Sequence, residues 1–393
     1  MRPRIPRKIA KRVWNPIFLW FVIPGFLFLS FLGHAFLYFS FTRYFDNSER
    51  ENLVLAIILS VLSVSFITTS VLAHYYDNRR TRYSYFLACI WLGVGFYLSL
   101  SFALIWILAL LAEPLGIYVP MYIFGIAGIG VSSAVSIYGF YNAMHTRITR
   151  ITVAIPNLPP AWEGKKVVQI SDIHIGHILR WSYLRKIVKK INHEHPEIVC
   201  ITGDLFDGMD GRLEHLVDAL NDIEAPHGIL YVDGNHETYL WVERALAVLE
   251  DTKTEILYDE ILTIDELDFI GINHPEPWEK RDIASVIRSL ENFDPKKPSI
   301  LLYHTPEQIE QIAKTGVNLE LCGHTHRGQI WPIGYFTWLI FHGRDYGLYQ
   351  KWDYTLYTSS GVGTWWPPMR VWSTSEIVVI TLKRKDGIWP ISL

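Results

Sequence analysis

Residues 165–174 read Lys-Lys-Val-Val-Gln-Ile-Ser-Asp-Ile-His, and the fold can be worked out from this stretch. A short, mostly apolar run at 167–170 ends at a serine, and Asp172 and His174 follow at once. Apolar runs of four to eight residues that end in polar clusters are typical of buried strands. In α/β sheets, ligand sites lie at the carboxyl ends of the strands. The stretch therefore predicts a strand that delivers an aspartate and a histidine to a site.

The same pattern recurs four times farther along the chain. Apolar runs at 198–202, 229–232, 300–303 and 319–322 precede Gly203-Asp204-Leu205-Phe206-Asp207, Asp233-Gly234-Asn235-His236-Glu237, His304 and Gly323-His324-Thr325-His326, respectively. Helices are predicted at 181–191, 213–223 and 241–249, a strand-rich segment at 256–272, and a last strand at 377–382. Strands that alternate with helices indicate an α/β domain, here with a layered and mixed sheet.

The polar clusters offer carboxylates, one amide oxygen and several imidazoles. This mixed set suits Mn²⁺, Fe, Zn²⁺ or Co²⁺ better than Ca²⁺ or Mg²⁺. There are more ligands than one tetrahedral ion needs, which argues for two divalent ions of the kind that assist in-line displacement at phosphorus. Taken singly, any histidine could be structural and any aspartate after a strand could cap a helix. Five clusters in register with five strand ends favour a metal site.

Other histidines and the cysteines have simpler interpretations. His193, His195, His215, His227, His274 and His342 show no such placement and are interpreted as surface or supporting residues, and His177 is the first candidate for an exception. Cys322 precedes Gly323-His324, yet a small buried strand residue is the favoured interpretation. Three cysteines far apart in sequence argue against a disulfide framework and fit a reducing compartment.

The amino-terminal part has a different composition. Residues 1–150 carry 13 Lys/Arg and 5 Asp/Glu, whereas the rest carries 23 and 34. Four stretches without Asp, Glu, Lys or Arg run at 14–42, 52–76, 83–112 and 114–146. Each is long enough to cross a bilayer as a helix, and together they are too many for a signal peptide. Residues 1–150 are therefore predicted to be a four-span transmembrane anchor, 151–164 a proline-containing linker and 165–393 the catalytic domain.

The basic residues predict an orientation. They cluster before the first span, in the second connection at Arg79, Arg80 and Arg82, and after the fourth span at Arg147 and Arg150. Basic segments favour the cytoplasmic side, so four spans return the chain to the cytoplasm. His34 and His74 lie inside spans without an acidic partner in the same span and are interpreted as packed or interfacial.

The order Asp-x-His, Gly-Asp-x-x-Asp, Gly-Asn-His-Glu, His, Gly-His-x-His resembles the calcineurin-like metallophosphoesterases over about residues 165–382. The resemblance implies a layered β-sandwich flanked by helices and a binuclear metal centre. Asp172, His174 and His326 would bind the first metal, Asn235, His304 and His324 the second, and Asp204 both. His236 would contact the phosphoryl oxygens and protonate the leaving group, and Asp207 and Glu237 would orient ligands.

The downstream sequence resembles the membrane-associated bacterial branch of this family, of which some members cleave the pyrophosphate of UDP-2,3-diacylglucosamine. It is also similar to animal proteins that join membrane spans to such a domain. Arg327 stands where this branch usually has glycine. Its guanidinium could bind a second phosphate, or it could point to solvent.

The substrate is the more open question. The membrane anchor, an aromatic segment and a basic stretch at 180–190 favour a lipid-linked phosphodiester or pyrophosphate. The resemblance to the bacterial branch implies the inner membrane of a bacterium. The aromatic residues could instead belong to the core, and the basic stretch could be a solvated helix face. Two alternatives remain: a soluble phosphodiester substrate with the spans serving only as anchor, and a membrane sensor with an inactive phosphoesterase domain. Nucleic acid is a chemically possible substrate, but the acidic catalytic half offers no strong footprint for its phosphate backbone. The aromatic segment comprises Trp331, Tyr335, Phe336, Trp338, Phe341, Trp352, Trp365 and Trp366.

Overall fold

The computed structural model describes residues 21–208, 213, 215–240, 242–276 and 279–385. Its helices are α1 (Ile23–Tyr44), α2 (Glu49–Tyr75), α3 (Arg79–Ala112), α4 (Met121–Met144), α5 (Trp181–His193), α6 (Asn235–Leu240), α7 (Val242–Leu249), α8 (Ile283–Ser289), α9 (Ile309–Ile312) and α10 (Ile333–Ile340). Its strands are β1 (Arg147–Ile155), β2 (Lys166–Ile170), β3 (Ile198–Thr202), β4 (Ile229–Val232), β5 (Thr254–Ile256), β6 (Glu260–Ile264), β7 (Leu267–Gly271), β8 (Ser299–Leu302), β9 (Leu319–Cys322), β10 (Gly347–Lys351), β11 (Tyr354–Thr358) and β12 (Glu376–Arg384).

The chain divides into two compact units, residues 1–141 with 366–369, and residues 142–365 with 370–393. The first unit contains α1, α2, α3 and most of α4, and these four helices are long and apolar enough to cross a membrane. They correspond to the four predicted spans, although residues 14–20 of the first prediction and the basic residues before them lie outside the described residues. The chain is therefore a membrane protein.

The four helices pack through a small inner cluster and leave apolar side chains outward. Leu37, Leu59 and Phe102 are buried in that cluster, whereas many Leu, Ile and Val residues on the same helices are exposed. Such surfaces are stable against lipid tails and not against water. His34 is a packed residue, because its Nδ1 lies 2.7 Å from the carbonyl of Ser30 and its Nε2 accepts a hydrogen bond from the indole of Trp91 at 2.9 Å.

The second unit consists of two six-stranded mixed sheets. One has the order β1-β12-β2-β3-β4-β5, and the other has the order β10-β11-β9-β8-β7-β6. Side chains of both sheets meet in one core, for example Val167 and Leu230 from the first sheet and Phe269 and Leu302 from the second. The predicted α/β layered sandwich is therefore confirmed.

Two local predictions differ from the structure. The helix predicted at 213–223 is wrong: among the residues described in this range, the structure has a short 3-10 helix at Asp218–Asp222. Leu216 and Leu220 are buried, but His215 has a φ of 64°, which ends any α-helix. Also, residues 151–155 of the predicted linker form the second half of β1, which pairs in parallel with β12. A strand in that position is held by a nine-residue ladder.

Candidate metal centre

Five strand ends deliver the predicted ligands to one place. β2, β3 and β4 are parallel neighbours in the first sheet, and β8 and β9 are parallel neighbours in the second. Because parallel strands end at the same edge, the residues that follow them lie together. The second unit, residues 142–365 with 370–393, thus collects acidic and imidazole groups at the carboxyl edge of both sheets. We call it the catalytic unit.

A first group of ligands comprises Asp172, His174 and His326, all buried. The Nε2 atom of His326 lies 2.9 Å from Nε2 of His174 and 3.3 Å from Oδ1 of Asp172. Two imidazole nitrogens and a carboxylate oxygen therefore point to one position. This is the set that the family resemblance assigns to the first metal.

A second group comprises Asp204, His304 and His324, with Asn235 beside them. The Oδ1 atom of Asn235 lies 2.7 Å from Nδ1 of His324 and 3.1 Å from Nε2 of His304. The amide oxygen, the two imidazoles and a carboxylate again converge. The structure thus brings together the set assigned to the second metal.

Asp204 lies between the two groups. Its Oδ2 atom is 3.2 Å from Nε2 of His304 in the second group and 3.9 Å from Nε2 of His174 in the first. Its Oδ1 atom accepts a hydrogen bond from the backbone N–H of His236 at 2.9 Å. One carboxylate oxygen therefore faces both groups, which is the placement that a bridging ligand requires.

The predicted ligands have an unusual backbone conformation. Five of the seven have a positive φ: Asp172 at 53°, His174 at 51°, Asp204 at 51°, His324 at 70° and His326 at 49°. Residues with a Cβ rarely adopt this left-handed conformation, and such positions cluster at functional sites. The sharp turns at the strand ends bring the ligand side chains back toward each other.

Neighbouring glycines permit this close approach. A Cβ atom at Gly203, which has a φ of 85°, would lie 2.4 Å from Nδ1 of His304, and one at Gly323 would lie 2.2 Å from Oδ2 of Asp172. Only a residue without a side chain fits at either position.

Hydrogen bonds fix the orientation of the ligands. Nδ1–H of His304 donates to the carbonyl of Thr202 at 2.8 Å, so its Nε2 is the atom that faces the site. The fully buried carboxylate of Glu237 accepts from the backbone N–H groups of Asp204 at 2.9 Å, Gly234 at 2.7 Å and Phe206 at 3.0 Å. Glu237 therefore joins the turn after β3 to the turn after β4.

The electrostatics of the site are those of a cation-binding centre. Burial lowers the pKa of His174 and of His326 well below the ordinary value, so both imidazoles keep free lone pairs. Burial lowers the pKa of His304, but the carboxylates of Asp204 and Asp172 and the hydrogen bond to Thr202 together outweigh burial and raise this pKa to about 10. Converging imidazole nitrogens and carboxylate oxygens fit divalent transition ions in both groups, and an ion beside Asp204 would replace the proton at Nε2 of His304.

His236 lies beside the first group. Its Nδ1–H donates to the carbonyl of Asp207 at 2.9 Å, which leaves Nε2 as the atom that can exchange a proton. The His236 and His174 rings are 4.5 Å apart. Asp207 also approaches Nδ1 of His174, with its Oδ1 at 3.8 Å, and burial raises the pKa of Asp207 to about 7. These contacts place Asp207 where it can orient both histidines.

Two residues near the site were not predicted to belong to it. His274 follows the carboxyl end of β7, a parallel neighbour of β8, and its ring lies 5.7 Å from that of His304 and 6.5 Å from that of His324. Its buried Nδ1 has no hydrogen-bond partner among the described residues. The interpretation that His274 lacks a strand-end placement was wrong. The signal was present, since the apolar run 269–272 precedes Asn273-His274.

The second of them, Arg370, is fully buried behind the first group. Its guanidinium lies 3.3 Å from Nδ1 of His326 and donates to the carbonyls of Gly361 and Gly363. The carbonyl of Arg370 in turn accepts a hydrogen bond from the side-chain amide of Asn142, in the last turn of α4, at 2.9 Å. The cation beside His326 favours the neutral imidazole that a metal ligand requires.

Three further candidates from the sequence have defined surroundings. The guanidinium of Arg327 lies over the ring of Tyr346, 4.5 Å from its centroid. His177 is buried in the loop after His174 and does not belong to any of the metal-ligand groups among the described residues. Cys322 is buried in β9 and donates from Sγ to Oε1 of Glu320 at 3.1 Å, as expected of a structural residue.

Comparison with known proteins adds independent information. A family model described as calcineurin-like phosphoesterase matches residues 165–328. The chain is 31% identical over 257 residues to an uncharacterized metallophosphoesterase of Aquifex aeolicus, covering 63% of this chain and 97% of that protein. It is 35% identical over 248 residues to one of Campylobacter jejuni, covering 62% and 65%, so it spans just under two thirds of that relative. It is 29% identical over 274 residues to a transmembrane protein with metallophosphoesterase domain of Danio rerio, covering 65% and 61%.

Proposed function

Because this chain belongs to the calcineurin-like metallophosphoesterases, a family of metal-dependent phosphoester hydrolases, we propose that it hydrolyses a phosphodiester or pyrophosphate bond in a lipid-linked substrate. The observation that carries the proposal is the position of Asp204, whose Oδ2 faces His174 in one ligand group and His304 in the other. Two divalent ions, when bound, lower the pKa of water and neutralise charge that develops on the phosphoryl group. The mixed nitrogen and oxygen ligand set suits Mn, Fe, Zn or Co.

The side chains of the chain itself supply the remaining chemistry. His236 is the proton donor to the leaving group, through the Nε2 atom that its hydrogen bond to Asp207 leaves available. Glu237 holds Asp204 and the turn that carries Asn235 in register. Arg370 keeps His326 neutral and in place. Arg327, stacked on Tyr346, is available to a second phosphate of a pyrophosphate substrate.

The lipid-linked substrate class is supported by the four membrane-spanning helices and by the exposed apolar residues of the catalytic unit. UDP-2,3-diacylglucosamine is one substrate of this chemistry. The spans and their basic connections, including Arg79 and Arg80, support a multi-pass protein of the bacterial inner membrane with its catalytic unit in the cytoplasm. A reporter fused to the carboxyl terminus that is active only in the periplasm would contradict this orientation.

The test is a substrate screen on the purified full chain, stripped by chelator and reloaded in turn with Mn²⁺, Fe²⁺, Zn²⁺ or Co²⁺. UDP-sugar lipids, phospholipids and polyprenyl phosphates are compared with soluble nucleotide diesters, and bound metal is measured in each sample. Faster hydrolysis of a lipid-linked substrate supports the proposal. Cleavage of soluble diesters alone contradicts the lipid-linked class, and stable metal binding without turnover on any phosphoester contradicts catalysis.

A further inference from the structure

The helix α10 is apolar on almost every side and is exposed. Of its eight residues only Gly334 is buried, whereas Tyr335 is 55% exposed, Phe336 57% and Ile340 67%. Trp338 and Leu339 are also exposed. Six large apolar side chains of one short helix, between 39% and 67% exposed, form a contiguous apolar surface of the kind that marks protein or membrane interaction sites. A helix of this composition is stable in contact with an apolar medium.

The charges around α10 indicate which medium covers it. The segment 321–344 has no Asp or Glu; Asp345, just after it, is buried and accepts a hydrogen bond from Thr337. Arg327 and Arg344 flank the helix in sequence, and Arg344 pairs with Glu310 at 3.3 Å. A Trp- and Tyr-bearing apolar segment with flanking cations matches the interface of a bilayer that contains anionic phospholipid. Such a bilayer is always near this chain, because the first unit carries four membrane-spanning helices. A second protein surface would need complementary acidic groups to match this segment.

Both ends of α10 pack close to the metal centre. Gly334 touches Gly328, which lies two residues after His326, so closely that a Cβ on Gly328 would lie 2.2 Å from Cα of Gly334. At the other end of the helix, the ring of Phe341 is 6.1 Å from that of His324. The helix thus contacts both sides of the Gly-His-x-His turn.

We propose that α10 is a lipid-docking helix that inserts into the headgroup region of the bilayer and holds the metal centre at the depth of a lipid headgroup. The inference deepens the proposed function and rests on it for the lipid-linked substrate. It also explains why an exposed apolar segment directly follows the last metal ligands in the chain.

The experiment uses site-specific fluorescence on the full chain. All three native cysteines are buried, so a new exposed cysteine takes an NBD label selectively. Phe336→Cys and Ile340→Cys place the label on α10. The control is Lys296→Cys, because Lys296 is exposed and precedes β8, at the opposite end of that strand from His304. Each labelled protein is reconstituted in nanodiscs of mixed zwitterionic and anionic phospholipid, with and without doxyl-labelled lipid.

The expected result is a blue-shifted NBD emission that doxyl lipid quenches at positions 336 and 340, and neither effect at 296. Emission at 336 and 340 that matches the control would overturn the proposal. So would a blue shift that doxyl lipid does not quench, because a second copy or the protein itself would then cover the helix. The readout requires no turnover. The labelled proteins can also carry Asp204→Asn, so a failure of α10 docking is distinguishable from a failure of the proposed hydrolysis.

Discussion

Glu237 provides a sharp test of how the ligand turns are held. Its carboxylate is fully buried and accepts three backbone hydrogen bonds, from Asp204, Phe206 and Gly234. Replacing it by alanine leaves three buried N–H groups without an acceptor. Each such group costs about 1–3 kcal/mol, so the loss is on the order of 3–9 kcal/mol. That approaches the whole stability of a typical domain, about 5–15 kcal/mol. We expect Glu237→Ala not to accumulate in folded form.

Glu237→Gln is the variant to measure. If its amide oxygen occupies the place of Oε2, the bonds from Asp204 and Gly234 remain, and the amide NH₂ faces the N–H of Phe206. One hydrogen bond to a charged group is then lost, about 1.5–3 kcal/mol. For a unit of this size that lowers Tm by about 3–12 °C. We call these hydrogen bonds from the turns after β3 and β4 to Glu237 the clamp. Because Asp204 lies at one end of the clamp, metal affinity should fall about 10–100-fold.

The assay measures the thermal unfolding of the catalytic unit, within the purified full chain, at increasing metal concentrations. Burial raises the pKa of Glu237 to about 7, so the comparison is made near pH 8, roughly one unit above it, where the carboxylate is ionised. The matched control is Glu255→Gln, since Glu255 is exposed on β5. A Glu237→Gln protein that unfolds at the temperature of the control and binds metal equally well would refute the clamp.

Three further predictions concern other groups. Asp204→Asn should reduce the bound metal per chain and abolish turnover, because the Oδ2 atom of Asp204 faces both ligand groups; metal analysis beside activity measures this, and parental stoichiometry with parental rate would refute it. His236→Ala should keep its metals but slow hydrolysis about 10²–10⁴-fold, most for poor leaving groups. A rate loss that is equal across leaving groups would contradict proton donation. Burial raises the pKa of Glu320 from 4.5 to about 7, so this group stabilises the fold while it is protonated, and that contribution is lost as pH rises through about 7. Relative to the parent, Glu320→Gln should therefore gain stability between about pH 4.5 and 7, by at most about 3 kcal/mol; denaturation curves across this range that run parallel would rule it out.

Much of the catalytic unit was predictable because its signals are local. A strand end followed by Asp, Asn or His is visible within ten residues, and five such signals led to the family, which comparison confirmed. The four spans were predictable for the same reason, since long uncharged stretches are a matter of composition. His274 has the same kind of local signal, an apolar run followed by polar residues, and it lies beside His304 although it was not among the predicted site residues.

Other features depend on neighbours that are distant in sequence. In the segment 213–223, where a helix was predicted, Leu213, Leu216, Leu220 and Ile223 are buried. Apolar residues three positions apart fit a 3-10 helix as well as an α-helix. Residues 151–155 of the predicted linker belong to β1, because β12, more than 200 residues later, provides a parallel partner for every residue of that strand. Periodicity indicates which side of a segment is buried and not which segment it pairs with.

The candidate ligands and the strands that deliver them could be predicted from the sequence, because short motifs encode both. How those motifs meet depends on the tertiary structure: one oxygen of Asp204 faces both groups, Glu237 joins two turns, Arg370 lies behind His326, and α10 is left exposed beside the Gly-His-x-His turn. The difference follows from how far apart in sequence the interacting residues lie. Hydrophobic pattern and ligand identity are properties of neighbouring residues, whereas distances between groups on different strands follow from the register of two sheets and the turns at their edges.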